Sequence, residues 1–241
     1  MMRSGNPALR ADMFRDVAMQ GTDTAMTIQG TVNKTFMLLV LTVFSASWAW
    51  GNPELFQGFM IPAAILGFIV ALITIFKKKT AYITAPIYAV LEGIFLGGIS
   101  LVFEKAYPGI VMQAVILTFG TLFSLLAAYK SGLIKATENF KLGVFAATGA
   151  IAVIYFVSII MGFFGKSIPM IHQSTPMGIG FSLVVVVIAA LNLVLDFDFI
   201  EKGAESGAPK YMEWYGAFGL MVTLIWLYLE MLRLLGKIRG R

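Results

Sequence analysis

Long apolar runs recur along most of the chain, and each is near or above the roughly 20 residues that a helix needs to cross a bilayer. Lipid offers no partner to backbone N–H and C=O groups, so only helices or a closed barrel can span it. The runs lack the period-two alternation of barrel strands and therefore predict helices. They cover about residues 35–50, 57–76, 81–103, 109–129, 142–165, 177–200 and 212–235.

The composition supports a membrane protein. Of 241 residues, 59% are hydrophobic and 13% are charged, and the mean hydropathy is +0.84. A soluble domain carries about 25% charged residues. The chain has no cysteine, which excludes disulfides and thiolate metal sites. We therefore expect an all-α integral membrane protein, with a bundle of seven transmembrane helices over residues 34–241. Residues 1–33 are expected to form a polar, mobile cytoplasmic tail.

Lysine and arginine residues concentrate on one side of this predicted bundle. Twelve lie in the tail and in the loops after the second, fourth and sixth runs, whereas the other three loops carry two. This bias predicts a cytoplasmic N-terminus. It also accounts for the net charge of +5 without a nucleic-acid partner. The C-terminus is basic too: it lies outside if all seven runs span, and inside if the last run re-enters.

Four acids lie in or against the apolar runs: Glu92, Asp196, Asp198 and Glu230. A carboxylate in hydrocarbon costs several kcal/mol unless it is neutralised, hydrated or paired, so each is a candidate functional residue. Asp196 and Asp198 are roughly 200° apart around a helix, so only one of them can face a given neighbour.

Structural roles are possible for two of these acids. Glu230 has Arg233 at i+3, which is typical of an ion pair within one helix near the membrane surface. Glu92 could instead be protonated and bonded to a neighbouring backbone carbonyl.

Small residues favour close packing, and Gly93 with Gly97 gives the third run a G-xxx-G face for that purpose.

Acids on consecutive helices can also work together. Two carboxylates that meet across helices share a proton and titrate as a unit. When both are ionised they offer oxygens to a hard cation. Ca²⁺ prefers about six to eight oxygen ligands, so two side chains predict a weak, transient site.

Enzymatic motifs are missing from the sequence. It contains no H-E-x-x-H, no G-x-x-x-x-G-K-[ST] and no cysteine–histidine pair, so we expect neither enzymatic activity nor a resident cofactor. Intramembrane aspartyl proteases also use acids on adjacent helices. They resemble one another through a G-x-G-D stretch, whereas Leu227-Tyr228-Leu229 precedes Glu230 here.

The same residues resemble motifs of the Bax inhibitor-1 family of seven-helix membrane proteins, in its bacterial YccA-like branch. The sixth helix of that family ends in an apolar residue, Asp and a later Ile, to which Leu195-Asp196 and Ile200 are similar. The seventh carries a Leu-Tyr/Phe-Leu-Asp stretch, to which Leu227-Tyr228-Leu229-Glu230 is similar with Glu for Asp. The resemblance covers about residues 35–240 and includes Lys77-Lys78-Lys79 and Leu91-Glu92-Gly93.

The resemblance implies a pH-sensitive, calcium-permeable leak channel or transporter of the bacterial cytoplasmic (inner) membrane. Asp196 and Glu230 would be the paired acids that sense pH, gate the pathway and bind calcium transiently, with Asp198 as the alternative first acid. Lys77 would be the counter-charge that latches onto Asp196. Calcium and protons would be the partners, in a lipid environment. The alternative implied by the same family is a non-conducting regulator of a membrane-bound protease or stress response, acting through the polar tail.

Overall fold

The computed structural model describes residues 25–56, 58–166, 168, 171 and 173–241. This part of the chain is all-α and contains no β-strand apart from one isolated bridge between Ala25 and Pro209. A single helical turn at Pro53–Phe56 and a 3₁₀ turn at Lys78–Thr80 flank the second long helix. The long helices are α1 Ile28–Gly51, α2 Met60–Phe76, α3 Ala81–Ala106, α4 Ile110–Lys130, α5 Glu138–Phe163, α6 Pro176–Glu205 and α7 Met212–Arg239.

Each predicted apolar run coincides with one of these helices, which confirms the all-α prediction. Six of the helices found in the described ranges are long and apolar enough to cross a membrane. The exception is α2, which has 17 residues. At 1.5 Å per residue it is about 26 Å long, slightly less than the roughly 30 Å hydrocarbon core. The length and apolar composition of these helices are thus those of membrane-spanning helices, but they do not confirm the predicted count of seven spans.

The first helix begins earlier than the sequence suggested. Its first residue is Ile28, so the boundary predicted at residue 33 falls inside α1. Thr27 caps the helix, because its hydroxyl accepts a hydrogen bond of 2.9 Å from the Gly30 N–H. The polar residues of this first turn hid the helix start from a hydropathy argument. Residues 1–24 of the predicted tail lie outside the described residues.

The last helix, α7, occupies the centre of the bundle. It packs against α6, α1, α4 and α3, and its Leu227 and Leu232 are fully buried. By contrast, α5 packs mainly against α6 and turns large apolar side chains such as Phe145 and Phe156 outward. In a membrane protein such exposed side chains meet lipid. Most of α7 is therefore enclosed by other helices, whereas α5 presents much of its surface to lipid.

Glycines bring α3 and α1 into close contact, as the G-xxx-G pattern predicted. A Cβ atom on Gly93 would lie 2.5 Å from the carbonyl oxygen of Thr42 and would also collide with the Ser45 side chain. One on Gly97 would collide with the carbonyl oxygen of Ala46. Only hydrogen fits at both positions, which fixes α3 on α1 and, through α1, against α7.

Candidate functional site

Asp196 lies on the face of α6 that packs against α7. A Cβ on Gly219 would be 4.0 Å from its Oδ1, and the Thr223 side chain lies close to the carboxylate. A contact of 4.0 Å is an ordinary van der Waals distance, and it places the carboxylate against this part of α7. Its Oδ2 is buried and has no hydrogen-bond partner within the described ranges. Such an oxygen is costly to bury unless a proton, water or cation satisfies it.

Glu230 is the centre of a cluster between α7 and α5. Its Oε1 accepts hydrogen bonds from the Tyr155 hydroxyl at 2.9 Å, the Trp226 indole at 3.3 Å and the Arg233 guanidinium at 2.6 Å. Arg233 also donates to the Tyr155 hydroxyl at 2.6 Å and lies over its ring, 5.1 Å from the centroid. The predicted ion pair between Glu230 and Arg233 is thus confirmed, and Tyr155 joins it to a second helix.

The second oxygen of Glu230 differs from the first. The Glu230 residue is 1% exposed, and its Oε2 is buried without a partner in the part of the chain that the structure describes. The Arg233 side chain keeps 37% of its surface exposed. The cluster therefore has a buried carboxylate on one side and a partly accessible cation on the other.

The two acids lie at different depths in the bundle. Asp196 faces the stretch of α7 from Gly219 to Thr223. Glu230 is two turns beyond Thr223, about 10 Å further along the helix axis at 1.5 Å per residue. No hydrogen bond joins the two carboxylates among the described residues. The structure thus does not bring the predicted pair together in this conformation.

Asp198 faces away from α7. Its Oδ2 forms ion pairs with Lys141 Nζ at 2.9 Å and Lys202 Nζ at 3.0 Å. Lys141 lies in the first turn of α5 and also pairs with Glu138 at 3.2 Å. The predicted divergence of Asp196 and Asp198 is confirmed: one acid faces α7, whereas the other joins α6 to the start of α5. Two cations already neutralise Asp198.

Lys77 is exposed at the end of α2 and forms no ion pair with any described residue. Its neighbour Lys78 lies 5.3 Å from the centroid of the Tyr215 ring on α7. Asp196 is enclosed between α6 and α7, whereas Lys77 lies on the surface of the bundle. The structure therefore does not contain the predicted contact between Lys77 and Asp196.

A family model described as Bax inhibitor 1 like matches residues 6–240. The chain belongs to this family. The seven long helices of the described residues and all four candidate acids fall within the matched range, so the resemblance seen in the sequence is confirmed. A search of curated proteins found no match. Family membership and the apolar helices together identify an integral membrane protein.

Sequence analysis missed one acid of this Bax inhibitor 1 like protein, Glu213 in the first turn of α7. It is fully buried, and its Oε1 accepts hydrogen bonds of 2.9 Å from both the N–H and the hydroxyl of Thr27. Lys210 lies 3.1 Å from the same oxygen, and Lys34 bonds to Oε2. A Cβ on Gly30 would collide with the carboxylate. Glu213 thus joins the start of α7 to the start of α1 through hydrogen bonds and an ion pair.

The fourth predicted acid, Glu92, lies between α3 and α2. A Cβ on Gly67 would be 2.8 Å from its Oε1, and the residue is 9% exposed. It forms no hydrogen bond with the described residues, so the expected bond to a backbone carbonyl is not present. Within the same ranges, no three acidic or histidine side chains converge as metal ligands.

Proposed function

We propose that this Bax inhibitor 1 like protein is a pH-sensitive, calcium-permeable leak protein of the bacterial inner membrane, with Asp196 and Glu230 as its titrating acids. The observation that carries the proposal is the pair of buried carboxylate oxygens, Asp196 Oδ2 and Glu230 Oε2, which have no partner among the described residues. A proton or a permeating cation would offset the cost of burying each oxygen.

Because the two acids lie apart, we propose two separate cation-binding positions, called stations here, and not one pair of carboxylates that shares a proton. An ion at either station meets a single carboxylate, so water has to supply most of the six to eight oxygens that Ca²⁺ prefers. Weak coordination of this kind suits passage more than storage. Protonation of either acid removes the negative charge that attracts the ion, so the flux is expected to rise with pH.

Arg233 supplies the counter-charge in this proposal, in place of Lys77. Its guanidinium is 2.6 Å from Glu230 Oε1 and repels a cation that approaches the same carboxylate. The partial exposure of its side chain leaves it room to move away. We therefore propose that Arg233 holds the ionised Glu230 until a permeating cation displaces the guanidinium and takes its place on the carboxylate.

The test is Ca²⁺ flux into proteoliposomes between pH 5 and pH 8. Asp196→Asn and Glu230→Gln remove one titrating charge each, so each variant is expected to lose most of the rise in flux with pH. Glu54→Gln is the matched control, since Glu54 is exposed and forms no ion pair within the described ranges. Unchanged pH midpoints in both Asp196→Asn and Glu230→Gln would remove the acids from the mechanism.

Asp198→Asn tests which aspartate acts. The carboxylate of Asp198 is held by two lysines, so this variant is expected to keep the wild-type dependence on pH. If Asp198→Asn alone flattens the curve, the functional acid is Asp198 and not Asp196.

We also propose seven membrane crossings with a cytoplasmic N-terminus. The bias of lysine and arginine supports this orientation. A helix as short as α2 can cross with modest local thinning of the bilayer. Reporter fusions at residues 1, 79, 105 and 137 are expected to lie inside, inside, outside and inside, and one after residue 241 outside. An external reporter at residue 79 contradicts the arrangement.

A regulatory role through the tail is the second candidate. The specific observation in its favour is that the residues just before α1 contact the connection between α6 and α7. The Met26 N–H donates to the Ala208 carbonyl at 2.6 Å, and Ala25 pairs with Pro209. A partner bound to the tail would thus act directly on the connection between α6 and α7. Deletion of residues 1–24 distinguishes the two functions. The shortened protein is expected to keep its ion flux and to lose its control of a protease.

A further inference from the structure

A cavity of about 530 Å³ lies between α1, α3, α4 and α7. It extends from the middle of the bundle, at Leu39 and Met221, to the end that carries the turn between α3 and α4. None of the acids discussed above lines it. Its volume is within the range of about 300–1,000 Å³ that is typical of ligand pockets.

The cavity opens sideways between α1 and α4. Both helices pack on α7, and neither forms an extensive contact with the other. Val43 of α1 and Met112 of α4 line the cavity, yet 57% and 64% of their surfaces are exposed. The opening is therefore in the apolar surface that faces the hydrocarbon core.

Several polar groups in the wall already have hydrogen-bond partners. Ser100 and Tyr228 are joined by a hydrogen bond of 2.6 Å, and the hydroxyls of Thr42 and Thr118 donate to carbonyls of their own helices. The interior thus offers an occupant almost only apolar contacts. A hydrated ion would lose its water there without a replacement.

The far end of the cavity is polar. Glu104 lies there and accepts hydrogen bonds from the N–H groups of Gly109 at 2.6 Å and Val111 at 3.1 Å. Trp50, at the end of α1, lines the same end. Tryptophan is typical of the boundary between lipid tails and headgroups. The cavity is thus apolar in the middle of the bundle and polar at its end. A lipid leaflet has the same order, with apolar tails inside and polar headgroups at the surface.

We propose that this cavity binds one hydrocarbon chain of a membrane lipid, which enters between α1 and α4 and leaves its headgroup near Trp50 and Glu104. The lateral opening, the apolar walls and the single polar end fit a chain with one polar terminus. This site is separate from the acids of the proposed ion pathway.

The experiment uses the full chain in nanodiscs that contain phosphatidylcholine with a photoreactive diazirine in the middle of one acyl chain. Illumination is expected to place crosslinks on residues of the cavity wall. Val115→Phe fills the cavity from α4 and is expected to reduce these crosslinks roughly tenfold, about the effect of losing two buried methylene contacts.

Ile116→Phe is the matched control, because Ile116 is next to Val115 in the sequence but is 62% exposed and does not line the cavity. It is expected to leave the cavity crosslinks unchanged. Ser47→Phe, which fills the same space from α1, is the second variant should Val115→Phe not fold. Crosslinks confined to the outer surface, or equal yields in the filled and control variants, overturn the proposal. The proposal is also overturned if the protein is a dimer in detergent and only the filled variants are monomers, because a second copy of the chain would then cover the opening.

Discussion

Replacing Glu213 with alanine is expected to lower the free energy of unfolding by about 3–5 kcal/mol, the loss typical of removing one partner from a buried ion pair. The change leaves Lys34 without its carboxylate and the Thr27 N–H without an acceptor. It also empties the space that Gly30 leaves for the acid. Unfolding of the purified protein in detergent, followed by circular dichroism, measures the effect.

Glu138→Ala is the control for this variant. Glu138 also lies in the first turn of a long helix and pairs with a lysine, but its side chain is 89% exposed. An exposed pair contributes little, so a change within about 0.5 kcal/mol is expected. Equal losses in the two variants would mean that the buried network around Glu213 adds no stability beyond an ordinary surface pair.

Replacing Arg233 with alanine is expected to cost about 2–4 kcal/mol, somewhat less than a fully buried pair because the guanidinium is partly exposed. The Glu230 carboxylate would keep Tyr155 and Trp226 as donors but lose its cation. Adding Glu230→Gln removes the charge that was left behind, so the double variant is expected to recover part of the loss.

The comparison is a double-mutant cycle, with unfolding measured at one pH for the two single variants and the double variant. Arg239→Ala serves as the control, since Arg239 is exposed on the same helix and donates to the carbonyl of Pro108 at 2.8 Å. Additive losses for Arg233→Ala and Glu230→Gln would show that the two side chains are not coupled.

The positions of the helices were predictable because each one contains a run of apolar residues long enough to span lipid. The helix ends were not. Both α6 and α7 continue beyond the predicted residues 200 and 235, to Glu205 and Arg239, since charged residues remain helical where the chain leaves the apolar layer. The start of α1 was missed for the same reason, and its real signal was the capping residue Thr27.

The site was predictable only where its contacts are local. Arg233 is one turn from Glu230 on the same helix, so their ion pair follows from spacing. Tyr155 is 75 residues away in sequence, and its contact with Glu230 depends on how α5 lies beside α7. The separation of Asp196 and Glu230 depends on the vertical offset of α6 and α7. Neither acid's local sequence specifies that offset.

Glu213 had no distinctive signal at all. An acid in the first turn of a helix is common, because it interacts favourably with the helix dipole and is usually solvated. Its decisive partner, Thr27, is 186 residues away. Only the packing of the first helix against the last one distinguishes this buried acid from an ordinary one.

The contact between Thr27 and Glu213 also makes the chain's first helix dependent on its last during synthesis. α1 is synthesised long before α7, so the Thr27 N–H and the Lys34 ammonium lack their Glu213 carboxylate until the last helix is made. This end of α1 is therefore held by fewer contacts than in the complete bundle while the intervening helices insert. The bundle therefore receives its central helix only when translation is nearly complete, and a chain that ends before Glu213 lacks the contact that holds the start of α1.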